Sequence, residues 1–453
     1  MTLTKIYPGI QIRQLLSGLL TPVLIVLLAI APQRIHAYSV LSHEEVVDLA
    51  WKDQIVPLLL SRFPQATPEE LDKAHAYAYG GCIIQDIGYY PFGSHFFSDL
   101  LHYVRTGDFV LSLLSESSDV NEYAFALGAL AHYTADTYGH PTVNKATAEE
   151  YPNLSKKFGH IVTYFEAPAA HLQTEFGFDV VAVVHNRYPP DAYHNFIGFE
   201  VAKPLLERAF RDTYGFEVNQ ILNHEDLAIG TYRRSVSNLI PKMTRVAVVR
   251  FGKQIEKDNP NYDSRKLRYR ISRAAYEKDW GKTYRKPGCG SRVLSFFLGL
   301  VPKVGPFKGL AMHLPNADTQ QQFLHSLNNT VDHYDAFLTQ LRQEPAYQTK
   351  LELPDRDLDT GADTTPGEYK LADFTYSRLL ATIVKKPETP IPGALRARLL
   401  AFYAPGAHNH VTEKPKEWLT TQQNLELLRN AKLDVLKVSD QPTSTQEPAI
   451  PLD

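Results

Sequence analysis

The stretch from Phe125 to His140, FALGALAHYTADTYGH, constrains the fold of this chain more than any other. It is rich in alanine and leucine, which favour helix. His132, Asp136 and His140 follow one another at intervals of four residues, so a helix would present all three on one face. Inward-facing imidazoles and carboxylates are a common way to build a metal site in a helical bundle. The stretch predicts a core helix with metal ligands. The alternative is a helix with two ordinary histidines and a solvated aspartate.

Further residues that can bind metal precede and follow this helix. His43 begins an amphipathic segment, Asp86 lies in a loop rich in Gly, Tyr and Pro, and His102 lies in a short apolar helix. His171 and Glu175 are four residues apart, so they share one face of another helix. Nitrogen and oxygen ligands without thiolate suit zinc, and less specifically manganese or iron. Eight such side chains are too many for one ion and predict a cluster of two or three.

The first residues of the chain have the pattern of a secretory signal peptide. Lys5 and Arg13 precede an uncharged apolar run from Leu15 to Ala31, and Ala37 offers a small residue for cleavage. An uncleaved membrane anchor is the alternative, but the run is short for a span and is interrupted by Gly and Pro. Cleavage would export the protein to the periplasm or the medium. It would also give Tyr38 a free α-amine, which can bind a cation together with the neighbouring carbonyl.

The composition and the missing motifs argue against several other classes of protein. The 47 basic and 50 acidic residues nearly balance, so the chain as a whole carries no electrostatic footprint for nucleic acid. The two cysteines, Cys82 and Cys289, permit one disulfide but not a disulfide framework. The chain contains no P-loop, no G-x-S-x-G motif and no glycine-rich dinucleotide fingerprint.

The order of the motifs resembles the superfamily of zinc-dependent phospholipases C and S1/P1 nucleases. The resemblance covers Tyr38 to about Asp179 and rests on a free N-terminus, a His at the sixth mature position, a loop Asp, LLHYV, HxxxD, another His and HxxxE. Members of this superfamily are all-helical and hold three zinc ions, one of them bound partly by the N-terminal residue.

The resemblance implies a set of ligands for each of three zinc ions. Asp86, His102, His132 and Asp136 would hold the first, His140, His171 and Glu175 the second, and Tyr38, His43 and the bridging Asp136 the third. Asp86 would also be the catalytic residue that orients or deprotonates the attacking water. The chain departs from the well-known members in two ways: Tyr38 stands where they have Trp, and the interval between Asp136 and His140 is shorter.

We therefore expect an all-α fold, a multi-helix bundle with an interior metal cluster and a mostly helical C-terminal extension. The expected parts are a signal peptide (1–37), a phospholipase C-like catalytic domain (38–250), a helical extension with an apolar hairpin-like stretch (251–352), a linker with short helices (353–438) and a disordered tail (439–453). The apolar stretch is expected to pack on the main domain, with membrane contact as the alternative. A loop is expected to follow the central helix from Pro141.

The expected activity is hydrolysis of phosphodiesters outside the cytoplasm. Zinc lowers the pKa of bound water toward ~7, and clustered ions stabilise the attacking and leaving oxygens of a phosphate ester. Glu175 as the last ligand, in place of Asp, and the scarcity of cysteine resemble the phospholipase branch, so phospholipid is the first substrate expected, with peripheral membrane contact. A single-strand nuclease is the alternative, because Tyr89, Tyr90 and Tyr103 could stack bases. A non-catalytic helical protein, with or without bound metal, is the third hypothesis.

Overall fold

The regular structure of the protein is helical. The computed structural model describes residues 40–186, 199–236, 240–258, 314–343, 351–386 and 391–430. Over these ranges the chain forms helices and no β-strand, apart from one isolated bridge between Arg356 and Asp363. The predicted all-α fold class is confirmed.

The described ranges contain sixteen α-helices. In chain order they are α1 (Val40–Ala50), α2 (Val56–Arg62), α3 (Pro68–Gly81), α4 (His95–Tyr103), α5 (Thr106–Glu116), α6 (Val120–Glu150), α7 (Pro152–Phe158), α8 (Pro168–Val181), α9 (Lys203–Tyr214), α10 (Val218–Ile221), α11 (Glu225–Arg234), α12 (Ile240–Asp258), α13 (Ala317–Gln343), α14 (Lys370–Lys385), α15 (Gly393–Phe402) and α16 (Pro415–Asn430). Two 3₁₀ turns span Ile84–Tyr89 and His410–Glu413.

Helix α6 is the axis of the bundle. It runs for 31 residues, and the Asp119 carboxylate caps its first turn by accepting from the N–H groups of Asn121 and Glu122. Helices α1, α3, α5, α8 and α13 all pack against it. The contact with α3 is close because of glycine: a Cβ on Gly128 would lie 2.1 Å from the carbonyl oxygen of Ala78. The chain therefore surrounds α6 and buries whatever its inner face carries.

The loop expected from Pro141 is not present, and that prediction was wrong. Helix α6 continues through Pro141 as far as Glu150. Proline has no N–H to donate to the carbonyl oxygen of Thr137, one turn earlier. The backbone of Gly361, with φ +73°, packs against this carbonyl so closely that a Cβ there would lie 2.2 Å from the oxygen. The loop around Gly361 thus packs on the helix at the point where the local sequence predicts its end.

Segment 351–369 forms a loop that packs on the bundle. The N–H of Leu358 donates to the carbonyl oxygen of His102 (3.0 Å), and the Asn144 amide donates to the carbonyl oxygen of Asp359 (2.7 Å). This loop leads into α14, which packs on α4 and α16. A segment far along the sequence thus lies beside the centre of the N-terminal bundle.

Several predictions concern residues outside the described ranges. These are the signal peptide, the ligand Tyr38, most of the apolar hairpin-like stretch, the disordered tail and Cys289. Cys82 is buried, and its thiol donates to the carbonyl oxygen of Tyr79. The domain boundaries stay predictions. None of the described helices combines the length and the apolar character needed to cross a bilayer.

Candidate metal centre

Five imidazoles and three carboxylates meet inside the bundle, each at most 2% exposed. They are all the described side chains that the sequence singled out as ligands: His43 from α1, Asp86 from the first 3₁₀ turn, His102 from α4, His132, Asp136 and His140 from α6, and His171 and Glu175 from α8. On α6, residues four apart lie on the same side of the helix, so His132, Asp136 and His140 all face the same interior space. Five separate elements contribute to one cluster.

Asp136 is the centre of this cluster. Its Oδ1 lies 3.1 Å from Nε2 of His43 and 3.5 Å from Nε2 of His140. Its Oδ2 lies 2.9 Å from Nε2 of His132 and 3.5 Å from Nε2 of His102. One carboxylate therefore faces four imidazoles, two on each oxygen, which is the arrangement expected of a bridging ligand.

The ligand atoms fall into three groups, in each of which they lie within 4.8 Å of one another. The groups are His43, His132 and Asp136; Asp86, His102 and His132; and His140, His171 and Glu175. The last group is the set that the resemblance implies for the second zinc. The other two share His132, while Asp136 faces both. The geometry brings the predicted ligands together, and the assignment of each to an ion stays a prediction.

Backbone carbonyls fix the orientation of two of the rings. Nδ1 of His102 lies 2.8 Å from the carbonyl oxygen of Ser98, and Nδ1 of His132 lies 2.9 Å from the carbonyl oxygen of Cys82. A carbonyl only accepts, so each Nδ1 carries a hydrogen, and in the neutral ring each Nε2 presents a lone pair to the cluster. Metal-binding histidines are typically held in this way.

The donor set fits a divalent cation. Both carboxylate oxygens of Asp86, and Nε2 of His102 and His132, are buried with no hydrogen-bond partner among the described residues. The distances from Nε2 of His102 to Oδ1 of Asp86 (3.3 Å) and to Oδ2 of Asp136 (3.5 Å) are long for hydrogen bonds. Two ligands about 2.0–2.2 Å from one tetrahedral ion lie ~3.3–3.5 Å apart. Zinc would therefore satisfy atoms whose burial is otherwise unfavourable.

Without a bound cation, protons would balance part of this buried negative charge. Burial lowers the pKa of His102, but the carboxylates of Asp86 and Asp136 outweigh it and raise the pKa to about 9. Burial also lowers the pKa of His140, but the carboxylates of Asp136 and Glu175 outweigh it and raise the pKa to about 10. Because a ligand must lose its proton to bind a metal, cation binding would release protons at neutral pH.

Asp359 is a functional candidate that sequence reasoning missed. This carboxylate is 3% exposed. Its Oδ2 accepts from the hydroxyls of Tyr103 (2.8 Å) and Tyr369 (2.7 Å), and its Oδ1 lies 3.9 Å from Nδ1 of His140. It stands behind the ring of His140, where a carboxylate orients a metal-binding histidine. The acidic run around it, LPDRDLDTG, carried no signal that it reaches the cluster, because it resembles an ordinary solvated linker.

Asp179 is a second residue that the sequence did not reveal. From the end of α8 its carboxylate accepts from the N–H groups of Leu41 (3.2 Å) and Ser42 (3.1 Å) and from the Ser42 hydroxyl. It therefore satisfies free N–H groups at the start of α1. This contact fixes α1, and with it His43, against the helix that carries His171.

We expect Asp359→Asn to weaken zinc binding at the group formed by His140, His171 and Glu175 by about 10-fold or more. The amide keeps the size and can still accept from the two tyrosines, but it loses the negative charge beside His140. The measurement is the zinc retained after dialysis against a graded chelator. Asp363→Asn is the matched control, since Asp363 lies in the same loop with an exposed side chain that pairs with Arg356 at the surface. Equal zinc retention in both variants would contradict the role of Asp359.

The tyrosines proposed for base stacking are buried. Tyr89, Tyr90 and Tyr103 are 1%, 2% and 0% exposed. The Tyr103 hydroxyl donates a hydrogen bond to Asp359, and the Tyr90 ring packs against Tyr232. In this structure the three rings offer no surface on which a base could stack, so that expectation was wrong. The apolar bodies of these rings pack into the core, which the local sequence did not indicate.

The helical bundle encloses a buried cluster of side chains that could hold divalent metal ions. The family described as zinc dependent phospholipase C matches residues 42–220, which contain the whole described cluster. The resemblance seen in the sequence is therefore confirmed for this part of the chain. In comparisons with curated proteins and with solved structures, no match was found. The family match ends before Asp359, so the loop that carries this residue lies outside it.

Proposed function

We propose that this protein is an exported, zinc-dependent phosphodiester hydrolase that removes head groups from phospholipids as a phospholipase C does. The observation that carries the proposal is the bridging position of Asp136, which lies within 3.5 Å of four imidazoles inside the segment matched by the family. A buried cluster of this composition is suited to several cations held close together. Export rests on the predicted signal peptide.

Asp86 is positioned to handle the proton of the attacking water. When bound, zinc ions would activate that water and neutralise the charge of the phosphate. Burial raises the pKa of Asp86 above its ordinary value, and the neighbouring His102 and His132 offset only part of this effect. Oδ1 of Asp86 lies 3.3 Å from Nε2 of His102, so the two groups could bind the same cation.

Two loops beside the cluster support a lipid substrate. The ring of Tyr164 lies 5.9 Å from the ring of His171, and its neighbours Ile161 and Phe165 are 51% and 36% exposed. Phe92, in the turn between the Asp86 segment and α4, is 57% exposed. Exposed apolar side chains are typical of surfaces that bind membranes or partners. They therefore favour peripheral contact of these two loops with a phospholipid surface.

Lysine side chains lie beside the loop that carries Ile161 and Phe165. Lys156 and Lys157 are exposed in α7, directly before the loop. The ammonium of Lys370 lies 5.7 Å from the centre of the Phe165 ring. Lysine beside exposed apolar residues favours contact with lipid phosphates, each such charge contributing ~1 kcal/mol near an anionic surface.

The substrate test compares phosphatidylcholine vesicles with single-stranded DNA. We expect the zinc-loaded protein to hydrolyse the vesicles, to lose this activity in chelator, and to regain it when zinc is added back. Preferential cleavage of the DNA would favour the nuclease alternative. Failure on both substrates by protein that retains its zinc would contradict the proposed hydrolase and favour a metal-binding protein without this activity. N-terminal sequencing of the secreted form tests export and the free amine of Tyr38.

A further inference from the structure

A second group of metal-competent side chains lies at the surface of the C-terminal region. His408, His410 and Glu413 each place one ligand atom within 4.8 Å of the others. They come from the 3₁₀ turn His410–Glu413 and the residues just before it, far along the chain from the segment matched by the family. His408 and Glu413 are exposed and His410 is half-buried. Two imidazoles and a carboxylate are a ligand set that zinc accepts.

The ring of His410 is held by a buried carboxylate. Its Nδ1 lies 2.7 Å from Oδ2 of Asp373, which is 0% exposed. The same carboxylate accepts from the N–H groups of His410 and Gly367, so it is fixed from three sides. Nδ1 therefore donates its hydrogen to Asp373 and Nε2 remains available as a ligand. A carboxylate behind the imidazole is the support that metal-binding histidines commonly have.

The ring of His408 is held by close backbone packing. A Cβ on Gly367 would lie 2.9 Å from Cδ2 of His408. Gly367 also has φ +82°, a conformation that favours glycine. The two rings lie 5.6 Å apart between centroids, inclined at 67°. Asn409 anchors the turn between them, because its side chain accepts from the N–H of Val411. The His408 ring thus packs against Gly367, while the hydrogen bond to Asp373 orients the His410 ring.

The nearby charges permit a cation at this place. Glu413 has Lys370 as its cationic neighbour, with Nζ 3.7 Å from Oε2. Both side chains are well exposed, and an ion pair of this kind contributes ~0–1 kcal/mol. A divalent ion would displace it at little cost.

We propose that His408, His410 and Glu413 bind one divalent cation of the zinc type at the protein surface, separately from the buried centre. Three protein ligands leave at least one position of a tetrahedral ion open to water or to an external ligand. The exposure of the ligands makes this ion exchangeable, in contrast to ions held inside the bundle. The site rests on contacts in the C-terminal region, so it does not depend on the proposed hydrolase activity.

The test measures zinc binding to the full chain with its buried centre already loaded. Free zinc is buffered at a level that keeps the buried ions bound and is then raised in steps, while the zinc content per chain is determined. We expect one further equivalent to bind to the wild-type protein. His408→Ala and Glu413→Gln should each raise the zinc concentration for half-saturation at least ~10-fold, and Asp373→Asn by about 10–100-fold.

The controls distinguish zinc binding at this site from the effects of misfolding and from non-specific zinc binding. His325→Ala removes an exposed histidine of α13 that belongs to none of the described clusters and should leave the further equivalent unchanged. The loaded buried centre in each variant reports on correct folding, and Glu413→Gln preserves the shape of an exposed side chain. Absence of the further equivalent in the wild type, or its persistence in both ligand variants, would overturn the proposal.

Discussion

Replacing Asp136 with asparagine is expected to lower phosphodiester hydrolysis about a thousand-fold, which corresponds to ~4 kcal/mol in the activation barrier. The reason is geometric, since this one carboxylate faces the Nε2 atoms of four histidines within 3.5 Å. An amide removes the negative charge and turns one ligand oxygen into an NH₂ donor. Zinc content should therefore fall together with the activity, and both are measured on the same preparation.

Asp119→Asn is the matched control for this substitution. It makes the same chemical change on the same helix, at the N-cap of α6, where Asn and Asp are almost equally favourable. We expect zinc content and activity close to those of the wild type. If Asp136→Asn retained its full zinc content and activity, Asp136 could not be a bridging ligand, and the proposed function would lose the observation on which it rests.

The sequence predicted the parts of the centre that depend on local periodicity. His132, Asp136 and His140 converge because a helix repeats every 3.6 residues, and the same holds for His171 and Glu175. The order of motifs then placed His43, Asp86 and His102 in the same cluster through the family resemblance. All eight lie together in the structure. Helical period and motif order were sufficient to predict this convergence.

Long-range contacts determine what the sequence did not reveal. Asp359 reaches Tyr103 across 256 positions of sequence, and an acidic loop shows no local sign of such a partner. Pro141 normally ends a helix, yet α6 continues through it and packs against the loop around Gly361. Tyr103 could equally have been a surface ring or a core ring, and only its neighbours decide. Tertiary packing outweighs local preference at each of these positions.

Removal of the metal is expected to lower the melting temperature of the protein by ~5 °C, if the bound ions contribute about 5 kcal/mol to the free energy of unfolding. Chelation leaves three carboxylates buried among five imidazoles. Burying these groups is unfavourable unless cations compensate their charge. Asp136→Asn, whose centre is already impaired, should respond less to the chelator than the wild type. Melting curves with and without chelator, followed by zinc add-back, measure the effect.

The fall in melting temperature on chelation should depend on pH. The buried histidines determine whether this fall becomes larger or smaller as the pH rises. In the chelated protein the pKa values of His102 and His140 are raised to about 9 and about 10, from 6.5 in the unfolded chain. Their protonation therefore stabilises the folded state fully below pH 6.5, and this contribution is lost as the pH rises through 9 and 10. Zinc displaces the same protons, so the loaded protein should lack this decline and the difference in melting temperature should widen toward alkaline pH. A melting temperature unaffected by chelator throughout this range would instead support a helical scaffold whose histidines hold no metal.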